Sequence, residues 1–543
     1  MKKTYKKIRM FAALFLIVAM QVGAQPLSGL YTINSGAATA GTNFQTFTAL
    51  ATALNTNGVS GPVTVNVITL SGPYVEQPAF NAITGTSGTN KIVINGNGNL
   101  LVFNSTSSGA PHTLLLNGAD FMTFNNLNVE GQGTTYAMVV VLTNGADRNT
   151  FNNCVFTAPL NGTSSIQCPW QLTSSPTSPT SGGTNSGNFN TVNSCTMANG
   201  YYGIVMYGLT GSPYQTNNSI LNCRITDFYV YGMYYPYQNF ITVRNNTIDR
   251  LTRTTSTTCY GILGYWLNGA LVEGNVVWKL FNTPALQGNP NACYGFYTYY
   301  TNTPGGVRGQ YRNNILTDIK NNGTIYGWYN YYSNSDYYNN TIDLDWAGST
   351  SAGTIWGMYC YGAASYNNSV TNNIITCRRG GSGSNRYGLY IALTGNIFVD
   401  RNDIIMVAGS GVNNIGYYGT PYATLPAWNT ALGAGTDISI DPMYVSATDL
   451  HPTNVLMDNY ASPLGLVFDQ MGAVRSSSAP DIGALEFLSP GCSGAMPSNS
   501  IAGPTWSLCP GEDAGMIIGA LSPSLGITYQ WQYSSISNVG PFA

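Results

Sequence analysis

Two short signatures recur along this chain and interleave. The first reads Asn-Asn-x-Ile or a near variant, at 125–129, 152–156, 193–197, 222–225, 245–248, 274–277, 313–316, 339–342, 372–375 and 401–404. The second is a glycine with an apolar residue after it and usually an aromatic before it. Its glycines are Gly203, Gly232, Gly261, Gly295, Gly327, Gly357, Gly388 and Gly416, spaced 28 to 34 residues apart. A fixed period of this size marks an array of like units. From each glycine to the next Asn motif the distance is short and nearly constant. From the motif to the next glycine it varies, so each repeat has one side of set length and one that takes insertions. Within the repeats, β-branched and aromatic runs such as 241–248 and 323–332 alternate with turn residues, and no helical period is present. Coils that hold several short strands and touch only their neighbours describe a parallel β-solenoid.

The second motif position supports this fold. It reads Cys154, Cys195, Cys223, Asn246, Asn275, Asn314, Asn340, Asn373 and Asn402. In a solenoid these side chains stack about 4.8 Å apart. A stacked asparagine can donate its amide to one neighbour and accept from the other, which satisfies a polar group at an inward turn. The three cysteines continue the same ladder, and Cys259 and Cys293 each lie two residues before a motif glycine. Buried thiols and inter-coil disulfides both fit this spacing.

The ends differ from the repeats. Lys2, Lys3, Lys6, Lys7 and Arg9 precede a short apolar run, 11–20, and Val22-Gly23-Ala24 fits small-residue cleavage. Residues 1–24 are therefore expected to be an export signal. No later stretch is long and apolar enough to suggest a membrane span. Asn43 precedes Phe44, Phe47, Leu50 and Leu54, a spacing that predicts a short helix capped by Asn43, lying over the first coil. The Ser- and Pro-rich stretch 162–188 reads as a loop insertion. The formal net charge of −2, without a basic patch, argues against a nucleic-acid partner.

Near the C-terminus stand DPMY (441–444), ASPLG (461–465), DQMGAVR (469–475) and PDIGALEF (480–487). This series resembles the closing coil of secreted right-handed β-helix proteins of the pectate-lyase-like superfamily. The resemblance implies an all-β chain, with a right-handed parallel β-helix of roughly 12 coils over 25–488. After Ser489-Pro490-Gly491-Cys492 the composition changes. Residues 489–543, with Cys509-Pro510-Gly511-Glu512 and Thr528-Tyr529-Gln530-Trp531-Gln532, resemble the first part of an immunoglobulin-like module. Such modules are common in large surface proteins of Gram-negative bacteria, and this one is expected to be truncated.

Candidate chemistry is sparse. His112 and His451 are expected to be structural, and no Gly-x-Ser-x-Gly, HExxH, phosphate loop or Cys/His metal pattern is present. Only 8% of residues are charged, so charge placement is informative. Asp227, Asp249, Arg250, Lys279, Asp318, Lys320, Asp343, Asp345, Arg378 and Arg379 follow the Asn motif at similar offsets and should form a ridge. In the superfamily resembled, such a ridge holds the site. That implies a lyase with acid-bound Ca²⁺ and an Arg or Lys base, or a hydrolase with clustered Asp. Asp343, Asp345 and Arg378 are the catalytic candidates. Asp249, Arg250 and Lys279 are candidate ligand contacts. The chain departs from the hydrolases in lacking their doubled Asp and their His-Gly and Arg-x-Lys elements. The competing reading is that these charges solvate a loop edge and pair between coils.

Tyr207, Tyr234, Tyr265, Tyr297, Tyr329, Tyr359 and Tyr390 follow the motif glycines by two to four residues. Of these, Tyr265, Tyr297, Tyr329 and Tyr359 are candidate sugar-stacking residues. The competing reading is a ladder that stabilises stacked strands. Together these readings predict a secreted or cell-surface, monomeric, non-catalytic scaffold that binds polysaccharide or surface glycan without a cofactor. The alternative is a polysaccharide lyase or glycoside hydrolase acting on a uronate-rich polymer.

Overall fold

Strands of two to ten residues, joined by two-residue corners on one side and by loops of varied length on another, wind this backbone into coils. The computed structural model describes residues 25–488 apart from 302–305, 351, 364, 382–384, 394–395, 409–410 and 434, together with the strand pair 501–502 and 518–519. The expected export signal lies outside the described residues, and so does the expected immunoglobulin-like module except for that strand pair.

Three long sheets make a parallel β-solenoid of about 13 turns, close to the roughly 12 expected. Each typical coil gives one strand to each sheet. In one coil, Thr242–Arg244 joins the first sheet, Thr247–Asp249 the second and Cys259–Asn268 the third, before Leu271–Glu273 starts the next coil. The third sheet closes on an antiparallel hairpin, Asn413–Tyr418 with Thr420–Tyr422. One apolar core runs from Leu27 to Trp428.

Both signatures have a geometric cause. The first motif residue is the corner between the first and second sheets, and it sits in left-handed backbone. φ is +54° at Asn222, +56° at Asn245, +54° at Asn313, +52° at Asn339 and +60° at Asn372. Asparagine tolerates this region better than most residues. Gly274 takes the corner in one coil at φ +68° and Arg401 in another at +51°. The motif's apolar residue then packs against the glycine of the preceding third-sheet strand. A Cβ on Gly232 would lie 2.7 Å from Ile248 Cγ2, one on Gly327 2.7 Å from Ile342 Cγ2, and one on Gly388 2.2 Å from Ile404 Cγ2. The interleaving seen in the sequence is thus a direct contact, and the constant spacing is the path between its two ends. Gly416 does not belong to this column. Register puts it beside Leu389, and its missing side chain makes room for Trp428.

The second motif position forms the expected inward ladder. Asn246 Nδ2 donates to Asn275 Oδ1 at 2.8 Å, Asn275 to Asn314 at 2.9 Å, Asn314 to Asn340 at 2.9 Å, Asn340 to Asn373 at 2.9 Å and Asn373 to Asn402 at 2.9 Å. Each Oδ1 also accepts the backbone N–H of the residue before it in the ladder, as Asn340 Oδ1 does from Asn314 at 3.0 Å. The ladder ends on Asp437, whose carboxylate accepts from Asn402 N at 2.7 Å. Cys154, Cys195 and Cys223 continue it in the other direction. All eight cysteines among the described residues are buried free thiols, which decides between the two readings of their spacing.

Three expectations need correction. The N-terminal helix Phe47–Asn57 is capped by Thr46, whose hydroxyl accepts from Ala49 N at 3.0 Å, and not by Asn43. Glu76 adds a carboxylate to the same helix end, accepting from Phe47 N and Thr48 N at 2.9 and 2.7 Å. Asn43 instead lies in a two-residue strand. Second, the stretch 162–188 is not all loop: Gln167–Leu172 is a fully buried third-sheet strand, hidden in the sequence by Pro169 and two glutamines. Third, residues 441–487 do not form a coil. They fold back along the outside of the Asn corners. Tyr460 O accepts from Arg401, Ser462 O from Asn372 Nδ2, Phe468 O from Asn313 Nδ2, and Gln470 reaches Gly274 O. The chain then returns, and Asp481 O accepts from Asn339 Nδ2 at 3.0 Å. The solenoid end itself is closed by the helix Leu425–Leu432, whose Trp428 is fully buried and donates to Asp437 at 2.9 Å.

Candidate functional site

The candidate charges fall into two groups. Asp227, Asp249, Arg250 and Arg379 are buried, and Arg379 donates to the carbonyls of Ile319 and Asn321. Asp249 receives Arg224 Nη2 at 3.0 Å, and Arg250 donates to the carbonyls of Leu280 and Tyr229 beneath Phe281. Asp227 accepts from Thr252 N and Arg253 N at 2.7 and 3.0 Å. These groups pin the variable loops, and Arg250 offers nothing to solvent.

The second group converges. Lys279, Asp318, Lys320, Asp343, Asp345 and Arg378 line one cleft of about 830 Å³, with Asp441 and Tyr444 supplied by the fold-back segment. Asp343 ends the strand Thr341–Asp343 and accepts from the hydroxyls of Thr317 and Thr376, each at 2.8 Å. Burial, aided by Asp345, pushes its carboxyl up to about 7. Arg378 bridges Asp345 Oδ2 and Asp441 Oδ1, both at 2.5 Å, so its guanidinium is held by two carboxylates. Lys320 pairs with Asp318 at 2.8 Å, and Lys279 Nζ lies 3.9 Å from the centre of the Trp278 ring. A calcium-dependent lyase would need free converging carboxylates. Here they are committed to Arg378 and to threonine hydroxyls, and no metal-ligating cluster of three occurs among the described residues. The residues do not fit a calcium site.

The tyrosines form a second feature, on the outer face of the third sheet. Tyr297, Tyr329, Tyr359, Tyr390 and Tyr417 stack in one row, with ring centroids 4.7, 5.0, 5.1 and 4.2 Å apart. Tyr265 belongs to a neighbouring row, with Tyr299, Tyr331 and Tyr361. Leu263 stands between Tyr234 and Tyr297 in register, so Tyr234 is outside the continuous row. A third row runs Tyr202, Tyr231, Tyr260, Tyr294, Tyr326 and Trp356, one residue before each motif glycine. A fourth holds Trp266, Tyr300 and Tyr332. From Tyr294 to Tyr361 the rings of the first three rows are half-buried. Burial and neighbouring phenols push the hydroxyls of Tyr297, Tyr329 and Tyr331 upward, so they stay protonated at neutral pH. The only charged residue in the strands from Cys259 to Tyr418 that build this face is Arg386, which is buried.

No family model and no curated protein matches the chain. Among solved structures it is similar to a pectate lyase, Pel9A, at 14% identity over 85% of this chain and 98% of that one, with a TM-score of 0.33. It is also similar to a rhamnogalacturonan lyase, at 12% identity over 64% and 87% and a TM-score of 0.31. PfbA, a surface adhesin of Streptococcus pneumoniae, is similar at 11% identity over 68% and 88% and a TM-score of 0.32. Likeness at this level says nothing about activity. No helix among the described residues is long and apolar enough to cross a membrane.

Sequence reasoning missed Asp441 and Tyr444 in the cleft, because they arrive on the fold-back segment. It also missed three of the four aromatic rows. The aromatic before each motif glycine was visible and marks one of them.

His112 is buried in the strand His112–Asn117, with its imidazole pushed down to about 4 by burial, and His451 contacts Asp449. Neither enters the cleft or the aromatic face.

Proposed function

We propose that the protein is an exported, non-catalytic carbohydrate-binding scaffold, and that the aromatic face of the third sheet is its binding surface. The observation that carries this reading is the set of four parallel ring rows on a rigid, uncharged sheet. Rigid tyrosines give large contact area with a polar tip at low entropic cost. The expected result is retention of the protein on a polysaccharide column without new reducing ends in the eluate. Loss of retention in the Tyr297→Ala/Tyr329→Ala variant, at unchanged fold by circular dichroism, supports the face as the site. Unchanged retention in that variant counts against it.

A second reading rests on Asp343. A buried carboxyl that keeps its proton near neutrality, beside Asp345 in an open cleft, has the character of a general acid for glycoside hydrolysis. Release of reducing ends from a uronate-rich or neutral polysaccharide, abolished by Asp343→Asn, would favour this reading over the scaffold. The lyase version draws less support, since Arg378 is held between two carboxylates.

A further inference from the structure

The rings are stacked along the solenoid axis, and this restricts what they can bind. Centroid separations of 4.2 to 5.1 Å with interplanar angles of 7 to 16° in the row Tyr297–Tyr417 mean that each ring face is covered by the next ring. A sugar cannot lie on a covered face. What reaches solvent is the ring edge with its hydroxyl, and hydroxyls in a row repeat once per coil, about 4.8 Å. One hexopyranose adds close to that length to an extended chain.

The fourth row adds an independent sign of selection. Trp266, Tyr300 and Tyr332 have φ of +51°, +46° and +50°. A bulky residue in left-handed backbone is strained, and glycine or asparagine would relieve it. Three successive coils keep an aromatic there.

We propose that this face binds an extended, neutral, β-linked glycan laid parallel to the solenoid axis, one sugar per coil. This rests on the carbohydrate-binding reading of the same face. Neutrality follows from the lack of any exposed cation on these strands, since a uronate carboxylate would lose water there and meet no opposite charge. An extended chain follows from the straight rows, because a helical glycan would leave them after a few residues. Edge hydroxyls then exchange hydrogen bonds with ring substituents of the glycan.

The test uses the full chain and calorimetric titration with four hexasaccharides: β-1,4-glucan, β-1,4-linked N-acetylglucosamine, α-1,4-glucan and oligogalacturonate. Disaccharides of the two β-linked series are run alongside. The variant is Tyr299→Phe/Tyr331→Phe/Tyr361→Phe, which keeps every stack and removes three hydroxyls. The expected result is binding of at least one β-linked hexasaccharide, at least tenfold weaker for its disaccharide, and about tenfold weaker in the Phe variant at unchanged melting temperature. Equal or tighter binding of the α-linked or charged hexasaccharide, lost in the variant, would overturn the ligand class and leave the face as a glycan site. Binding that the variant leaves untouched, or no binding to any of the glycans, would overturn both.

Discussion

Single residues here carry defined jobs, and removing them has calculable effects. Asn340 Oδ1 accepts from both Asn314 N and Asn314 Nδ2, and Asn340 Nδ2 donates to Asn373 Oδ1 and Tyr311 O. Asn340→Ala leaves several of these buried groups without partners. Urea unfolding should show a loss of roughly 3 kcal/mol. Asn340→Cys should cost less, because cysteine fills this position in three coils and Cys195 Sγ accepts from Cys154 N at 3.4 Å. Gly327 makes a sterically opposite prediction. A Cβ there would lie 2.4 Å from Gly357 O, so Gly327→Ala should cost about 1–3 kcal/mol and no loss of hydrogen bonding would explain it. Asp343 makes a pH prediction. Its folded value near 7 lies above the usual carboxylate value, so between about pH 4 and 7 the folded state holds more protons than the unfolded state. Stability therefore falls as pH rises through that window. Asp481, raised to about 7 by burial, and the buried Asp403 and Asp437 act in the same direction. A melting-temperature series from pH 4 to 7 should slope downward, and Asp343→Asn should flatten it.

Elements show where sequence reading succeeds and where it stops. The strands, corners and ladders were legible because chemical identity repeats at a fixed period. A stacked amide has the same partners in every coil, so the same residue recurs. The strand Gln167–Leu172 was not legible, since its coil uses buried glutamines bonded to carbonyls, such as Gln171 Nε2 to Val140 O at 2.8 Å. The N-cap was misread because Asn43 and Thr46 are both good capping residues, and only the path of the chain separates them. The fold-back segment was recognised as a closing motif and misjudged in shape. Its contacts are hydrogen bonds to corner residues and apolar packing on Ile315 and Ile374, which leave no periodic trace. Within it, Arg475 is almost fully buried and donates to Asp481 O, Gly483 O, Asn313 Oδ1 and Glu486 Oε2. Gly483 has φ +84° and a Cβ there would lie 2.5 Å from Ile374 Cδ1. Arg475→Met should free this clasp while leaving the coils intact. Hydrogen exchange should then speed up at Asn459 N and Phe487 N, both bonded to Asp481, and stay slow in the ladder amides.

At the scale of the whole molecule, a solenoid couples each coil only to its neighbours. The fold-back segment breaks that rule by touching the corners from Gly274 to Arg401. The coils it touches should therefore exchange as one cooperative unit, and the coils before Leu271 as smaller ones. In the Arg475→Met protein that difference should shrink. The candidate cleft belongs to this same scale. Its catalytic candidates were legible as scarce charges at equal offsets, but the cleft is completed by Asp441 and Tyr444 from a segment about sixty residues further on.

That long contact also sets a limit on how such a chain can change length. The segment reads off a fixed number of corners, as a gauge would. Duplicating a coil between Gly274 and Arg401 would shift Ser462, Phe468 and Asp481 out of phase with Asn372, Asn313 and Asn339. Duplicating one before Leu271 would disturb none of them. Related chains should thus differ in coil number upstream of that point and agree downstream of it.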